Sequence, residues 1–267
     1  MAKYLKLKNN PSMDKSKFLL VAIKAAKNAE EIIMRYYSDD LTWQKKSDQS
    51  PVTIADTQAE KVIIETIKDS FPDHAFFGEE SGNDNINSRY QWIIDPIDGT
   101  KNYTRKIPLF ATQIALLEGG EIILGVSNAP AMNEMIFAEK GRGAFFQEKN
   151  THVSIIQNLA DSYFCFGGIK YFQKHGYLDP LLELSKQTSG HRGIGDFWCY
   201  HLLAQGKIDI MIEAETKIWD FAALKIIVEE AGGKVTDIEG NNVTKETTSI
   251  IATNKNLHDS VVEMFQR

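Results

Sequence analysis

Apolar residues recur at steps of three and four through residues 15–37: Leu19, Ala22, Ala26, Ala29, Ile33 and Tyr36. That spacing places them on one face of a helix. A second stretch, 54–70, repeats the pattern with Ala59, Val62, Ile63 and Ile67 inward, and Pro72 stands just beyond it as a stop signal. Then the period changes. HAFF (74–77) and QWII (91–94) are short apolar runs, each followed closely by acidic residues, and read as strands. Residues 110–130 read as two strands joined at Gly119-Gly120, and 134–146 repeat that form around Gly141-Arg142-Gly143. The second half alternates: a strand in YFCFGG (163–168), a helix over 178–186, and a helix over 196–206 ending at Gly206. A strand in KIDIMIE (207–213) follows, then a helix over 219–233 ending at Gly232-Gly233. The chain closes with a strand in SIIATN (249–254) and a helix in the last ten residues. There is no low-complexity linker and no fixed-period repeat. The pattern predicts a layered α/β architecture with two tightly joined lobes, about 15–150 and about 151–267.

Composition narrows the class only a little. The 267 residues suffice to bury a sizeable core, and the apolar and charged fractions are those of an ordinary globular protein. The formal net charge of −6 argues against nucleic acid as a partner, but an anionic substrate remains open because a bound metal reverses the local field. Cys165 and Cys199 form no C-x-x-C pair, which removes a zinc ribbon or a thioredoxin-type site. No early stretch has the apolar core of a signal peptide or membrane helix, so a cytoplasmic protein without membrane contact is expected. Residues 1–14 are polar and basic and read as an N-terminal extension; translation starts at Met1 or Met13.

The chemistry gathers at element ends. Asp56 opens the second helix, Glu79 and Glu80 follow the HAFFG strand, Asp95 and Asp98 follow WII, and Asp220 opens a late helix. Each has a bland reading: Asp56 and Asp220 as acids at a positive helix end, Glu79-Glu80 as a solvated loop, Asp98-Gly99 as a plain turn. Together they carry more. Strand ends and helix starts are where α/β folds collect ligand groups. Two carboxylates about 4 Å apart repel by about 1 kcal/mol in water and about 4 kcal/mol near a protein surface, and a divalent cation is the simplest offset. Carboxylate oxygens suit magnesium, and two such ions can clamp the attacking and leaving oxygens of a phosphoryl group. Gly99 lets backbone approach closely, and the Gly99 and Thr100 amides could cradle an anion. Other metal chemistries fit less well. DPIDGT fails the EF-hand spacing, H-E-x-x-H is absent, and there is no G-x-x-x-x-G-K-[ST] loop.

GEES, WIIDPIDGTKNY and IWDFAALKIIVEEAGG together resemble the three signatures of the inositol monophosphatase family, and the similarity covers nearly the whole chain after about Lys15. The resemblance implies a single phosphatase domain over 15–267 with a layered αβαβα sandwich fold, usually a homodimer. It implies a magnesium-dependent, lithium-sensitive phosphomonoesterase with two to three ions per site. Glu79, Asp95 and the Ile97 carbonyl would hold the first ion, and Asp95, Asp98 and Asp220 the second, with a third leaning on Glu79. Glu80 would act behind this shell or through water. Thr100, with Asp56 behind it, would orient a metal-activated water for in-line attack, and the Gly99 and Thr100 amides would hold the phosphate.

Substrate choice is expected in the second half, where Arg192, Asp196 and Glu213 precede Asp220. The stretch 195–213 is more similar to the histidinol-phosphate phosphatase branch than to the inositol branch. Carboxylates at Asp196 and Glu213 would pair with the cationic groups of histidinol, and Phe197, Trp198 or Tyr200 could stack on its imidazole or simply face the core. Arg192 could hold a carboxylate or the phosphate, or cross a dimer interface. The leading expectation is hydrolysis of L-histidinol phosphate, placing the chain in histidine biosynthesis. Inositol 1-phosphate or a related sugar phosphate is the alternative on the same fold. A silent phosphatase-like binding module is the non-enzyme alternative. An aspartyl-phosphate mechanism needs Asp-x-Asp and meets Asp-x-x-Asp here.

Overall fold

A computed structural model describes residues 15–38, 43–45, 51–84 and 86–266. The extension at 1–14 lies outside the described residues. Helix α1 (Lys17–Ser38) and helix α2 (Ile54–Lys68) form where the periodic stripes stand, joined through a short antiparallel pair, β1 (Trp43–Lys45) and β2 (Pro51–Thr53). Eight strands then build one sheet: β3 (Ala75–Gly78), β4 (Gly82–Asn83), β5 (Tyr90–Asp98), β6 (Ala111–Glu118), β7 (Glu121–Ala129), β8 (Glu134–Glu139), β9 (Ala144–Phe146) and β10 (Lys149–Thr151). Their order is β10-β9-β8-β7-β6-β5-β3-β4, antiparallel except for β3 beside β5. A five-stranded sheet follows, with β11 (Tyr163–Phe166), β12 (Gly190–Arg192), β13 (Ile210–Glu213), β14 (Lys234–Thr236) and β15 (Ile250–Thr253) in the order β12-β11-β13-β15-β14.

Alternation along the strands sorts the helices into layers. Trp92 and Ile94 of β5 face α1 and α2, whereas Ile93 faces the other way. There it meets a core shared with α6 (Asp196–Ala204) and α7 (Ile218–Glu230). On β13, Met211 joins that same middle core, while Ile210 and Ile212 face outward to α4 (Ile169–His175), α5 (Leu178–Gln187) and α8 (His258–Phe265). The layers therefore run αβαβα. A period of two on each strand allows it, because both faces of both sheets carry apolar side chains. The short α3 (Thr100–Tyr103) sits at the end of β5.

The sequence pattern locates most of these elements. Strand β5 is longer than the apolar run, because it continues through the acidic residues to Asp98. Helices α3 and α4 and strands β10, β12 and β14 are too short to print a period.

Helix α7 is hydrophobic almost all round, as a helix between two sheets must be. It packs tightly on β7 at Gly125, where a Cβ would lie 2.4 Å from the Ala223 carbonyl oxygen and 2.8 Å from Ile226 Cγ2. Gly125→Ala is expected to destabilise the fold by about 3 kcal/mol through overpacking, measured by chemical denaturation. A variant as stable as the parent would show that α7 is free to lift off the sheet.

Candidate active site

Residues three apart in a regular strand face opposite sides. The register of β5 against β6 shifts between Asp95 and Asp98, where Pro96 has no N–H to give a ladder. The irregularity brings the two carboxylates within each other's field. Both are buried, Asp95 to 2% exposure and Asp98 to 9%. Asp95 Oδ1 accepts the Ile97 N–H at 2.9 Å, and Asp98 Oδ2 accepts from Gln113 Nε2 at 3.1 Å. Gly99 then turns the chain at φ 88°, and a Cβ there would lie 2.7 Å from the Leu109 carbonyl oxygen, so conformation and space both demand glycine. Thr100 begins α3 and donates through Oγ1 to the Ile97 carbonyl at 3.0 Å.

Glu79 and Glu80 follow β3, which lies parallel to β5. A carboxylate from α2 shapes this loop: buried Glu60 accepts the Glu80 N–H at 3.0 Å and the Ser81 N–H at 2.8 Å. Asp56, one turn earlier on α2, is fully buried. From the opposite side, Phe77 and Trp219 meet edge to face with centroids 5.3 Å apart. That contact sets the start of α7 against the end of β3, and so Asp220 against Glu79. Asp220 Oδ2 accepts the Lys217 N–H at 2.7 Å and the Thr216 hydroxyl at 3.2 Å, an N-terminal helix cap.

Asp98 and Asp220 line a cleft of about 200 Å³ together with Asp196, Glu213, Glu215, Lys101 and Tyr171. Asp196 opens α6 with φ 52°, a left-handed conformation uncommon outside glycine, asparagine and aspartate. Glu213 ends β13 and accepts the Tyr200 hydroxyl at 2.8 Å. Five carboxylates thus face one lysine among the described lining residues.

The protonation equilibria register that crowding. Burial, then the charges of Glu79, Asp98 and Asp220, push Asp95 well above the usual carboxylate range, and it shares a hydrogen bond with Glu79. Burial and the charges of Asp196, Asp220 and Glu213 do the same to Asp98. Burial lifts Asp220 to about 7, the nearby charges of Glu79 and Asp196 adding to it. Burial and then Asp196 lift Glu213 to about 8. Carboxylates held together against their own charge, with oxygen donors only, suit a hard divalent cation. Among the described residues no group of three His, Cys, Asp or Glu side chains is already converged at metal-site spacing.

The sequence pattern of one protein family spans this whole arrangement, from residue 14 to residue 267. The chain belongs to the inositol monophosphatase family. A histidinol-phosphatase of Mycobacterium tuberculosis is 36% identical over 250 residues, covering 91% of this chain and 96% of that one. An inositol-1-monophosphatase of Caulobacter vibrioides is 34% identical over 254 residues, 91% and 99% of the two chains. The crystal structure of extragenic suppressor protein suhB from Bartonella henselae superposes with a TM-score of 0.88 at 34% identity, covering 94% of this chain and 99% of that one. The protein is a phosphoric monoester hydrolase of this family, whose members are in general metal-dependent. No helix among the described residues is long and apolar enough to cross a membrane.

Of the acids expected from the sequence, Glu79, Asp98 and Asp220 all act on Asp95 through their charge, and Asp98 and Asp220 line the cleft together with Asp196 and Glu213. Arg192 does not line the cleft. It stands at the exposed end of the edge strand β12, its guanidinium 5.7 Å from the Tyr163 ring centre and donating to the His191 carbonyl. Of the expected aromatics, Phe197 and Tyr200 are buried core residues that show a surface to the cleft, and Trp198 is not among its lining residues. Sequence reasoning missed Glu60, Gln113, Lys101, Tyr171 and Glu215. Glu60 had a signal: it lies on the same helix face as Asp56, Ala59, Ile63 and Ile67, where a carboxylate needs a reason.

Proposed function

We propose that this enzyme is a magnesium-dependent histidinol-phosphate phosphatase, hydrolysing L-histidinol phosphate to L-histidinol and inorganic phosphate. The observation that carries the reading is the charge of the cleft beyond Asp98. Asp196 adds a carboxylate, beside Glu213, to the space an alcohol group would enter, and it is held there in a backbone conformation that costs about 1–3 kcal/mol. A neutral polyol gains little from such a wall. An alcohol bearing an ammonium and an imidazole gains charge-assisted hydrogen bonds. Similarity to a histidinol-phosphatase supports the same choice.

The donor set fits magnesium: Glu79, Asp95, Asp98, Asp220 and the Ile97 carbonyl would hold it. When bound, it supplies an acidified water and neutralises the phosphoryl oxygens. The chain's own groups do the rest. The Ile97 carbonyl has two lone pairs, so it accepts from Thr100 and still has a second direction to offer. Thr100, with Asp56 behind it, orients the attacking water in line with the departing alcohol. Gly99 and Thr100 present backbone N–H groups to the phosphate. Glu60 holds the Glu79-Glu80 loop so that both carboxylates stay beside β5.

Phosphate release from histidinol phosphate and from inositol 1-phosphate, measured side by side as kcat/KM with magnesium, tests the substrate. A preference for the inositol ester would retire the histidinol reading and leave the metal site standing. Asp196→Asn keeps the left-handed backbone and removes the charge. It is expected to lower kcat/KM for histidinol phosphate about tenfold more than for the polyol ester, the scale of one charge-assisted hydrogen bond. Equal losses on both would make Asp196 a structural residue.

A further inference from the structure

Tyr171 lines the cleft with Asp98, Asp196 and Asp220, and nothing in the chemistry above uses it. It sits on α4, the short helix that follows Gly167-Gly168. Two features hold its ring in place. A Cβ on Gly168 would lie 3.1 Å and 3.2 Å from Cδ2 and Cε2 of that ring. Gly168 has φ −62° and ψ 114°, open to any residue, so the backbone does not require glycine there. The ring does. The far end of α4 is tied as well: Lys174 pairs with Glu215, and His175 Nε2 lies 2.9 Å from the same carboxylate. Glu215 itself lines the cleft. One carboxylate therefore ties the end of the helix that carries Tyr171 to the wall of the cleft. The ring already attracts a cation, the Lys170 ammonium 4.5 Å from its centre, and that contact covers one face only.

We propose that Tyr171 is a specificity-determining residue: its ring stacks on a flat, cationic or aromatic part of the alcohol, and Glu215 is the positioning residue that keeps α4 and that ring at the cleft. The proposal deepens the histidinol-phosphate reading and rests on it. An imidazole offers a π-face to the ring, whereas a polyol offers none.

The test uses the magnesium-loaded protein and two readouts: the ratio of kcat/KM for histidinol phosphate over inositol 1-phosphate, and the Kd of L-histidinol by calorimetry. Tyr171→Leu is expected to lower the ratio about tenfold, mainly through KM for histidinol phosphate, and to weaken L-histidinol binding by a similar factor. Tyr171→Phe keeps the ring and is expected to hold both readouts within about twofold. Gly168→Ala displaces the ring, so it shifts the ratio in the same direction and adds nothing in the double variant with Tyr171→Leu. An L-histidinol Kd unchanged by Tyr171→Leu, or equal losses on both esters, overturns the proposal. Wild-type protein that prefers inositol phosphate yet loses L-histidinol affinity in Tyr171→Leu retires the substrate reading and keeps the role of Tyr171. Wild-type preference for histidinol phosphate that Tyr171→Leu leaves intact does the reverse. No L-histidinol binding by the wild-type protein retires both.

Discussion

Asp95→Asn is expected to lower kcat/KM by about three orders of magnitude, equivalent to ~4 kcal/mol, while raising the thermal stability of the metal-free protein. The two effects come from one cause. Asp95 is buried among Glu79, Asp98 and Asp220, and its charge is opposed by burial and by each of them. Asparagine keeps the shape. Its oxygen still accepts the Ile97 N–H, and its amide can donate to Glu79, the hydrogen-bond partner of Asp95. The fold therefore loses a repulsion and no hydrogen bond. On the proposed magnesium reading, the site loses a ligand charge. Steady-state kinetics with magnesium and melting curves in a chelator check the pair. A variant within about tenfold of the parent in kcat/KM would remove Asp95 from the machinery.

The second large effect is on stability against pH. Burial and neighbouring charge push Asp220 up to about 7 and Glu213 up to about 8. In the unfolded chain both release their protons near pH 4. Between about pH 4 and pH 8 the native state therefore holds more protons than the unfolded state, so the free energy of unfolding falls as pH rises. Asp220 keeps some solvent contact, which reduces its share. The melting temperature of the metal-free protein is expected to drop by roughly 10 °C from pH 5 to pH 8, several kcal/mol for a chain of this size. On the proposed reading, magnesium is expected to reverse the drop, and more at pH 8 than at pH 6, because its ligands must be deprotonated and it would bind the folded state. Differential scanning calorimetry with and without magnesium decides the matter. A melting temperature independent of pH in chelator would mean that these carboxylates do not repel one another in the folded protein.

The two effects show why the site and the fold are opposed here. A cluster of buried carboxylates lowers native-state stability, and a cation bound there, as proposed, would restore it.

Much of this was legible in the chain alone, wherever the information is local. The stripes of α1 and α2, the Gly119-Gly120 hairpin and the Asp-x-x-Asp-Gly-Thr run are set by neighbours within a few residues. Periodicity, turn chemistry and motif spacing report such things directly. The family followed from three local motifs in order, and the chain matches it over 14–267. The acidic residues Asp98, Asp196, Glu213 and Asp220 that line the cleft were visible too, because each stands at an element boundary.

Only the tertiary structure decided what those elements bring to one another. Glu60 reaches the Glu79-Glu80 loop twenty residues away because α2 packs on the sheet that carries it. Arg192 lies four positions before Asp196, yet the edge position of β12 turns it to solvent. Tyr171 and Glu215 meet one cleft because α4 and the segment after β13 converge, and α4 is too short to announce itself by a period. Local sequence chooses an element and its apolar face. Which two faces meet, and which polar side chains they carry to the same place, depends on packing across the whole core, where contacts far apart in the chain are made together or not at all.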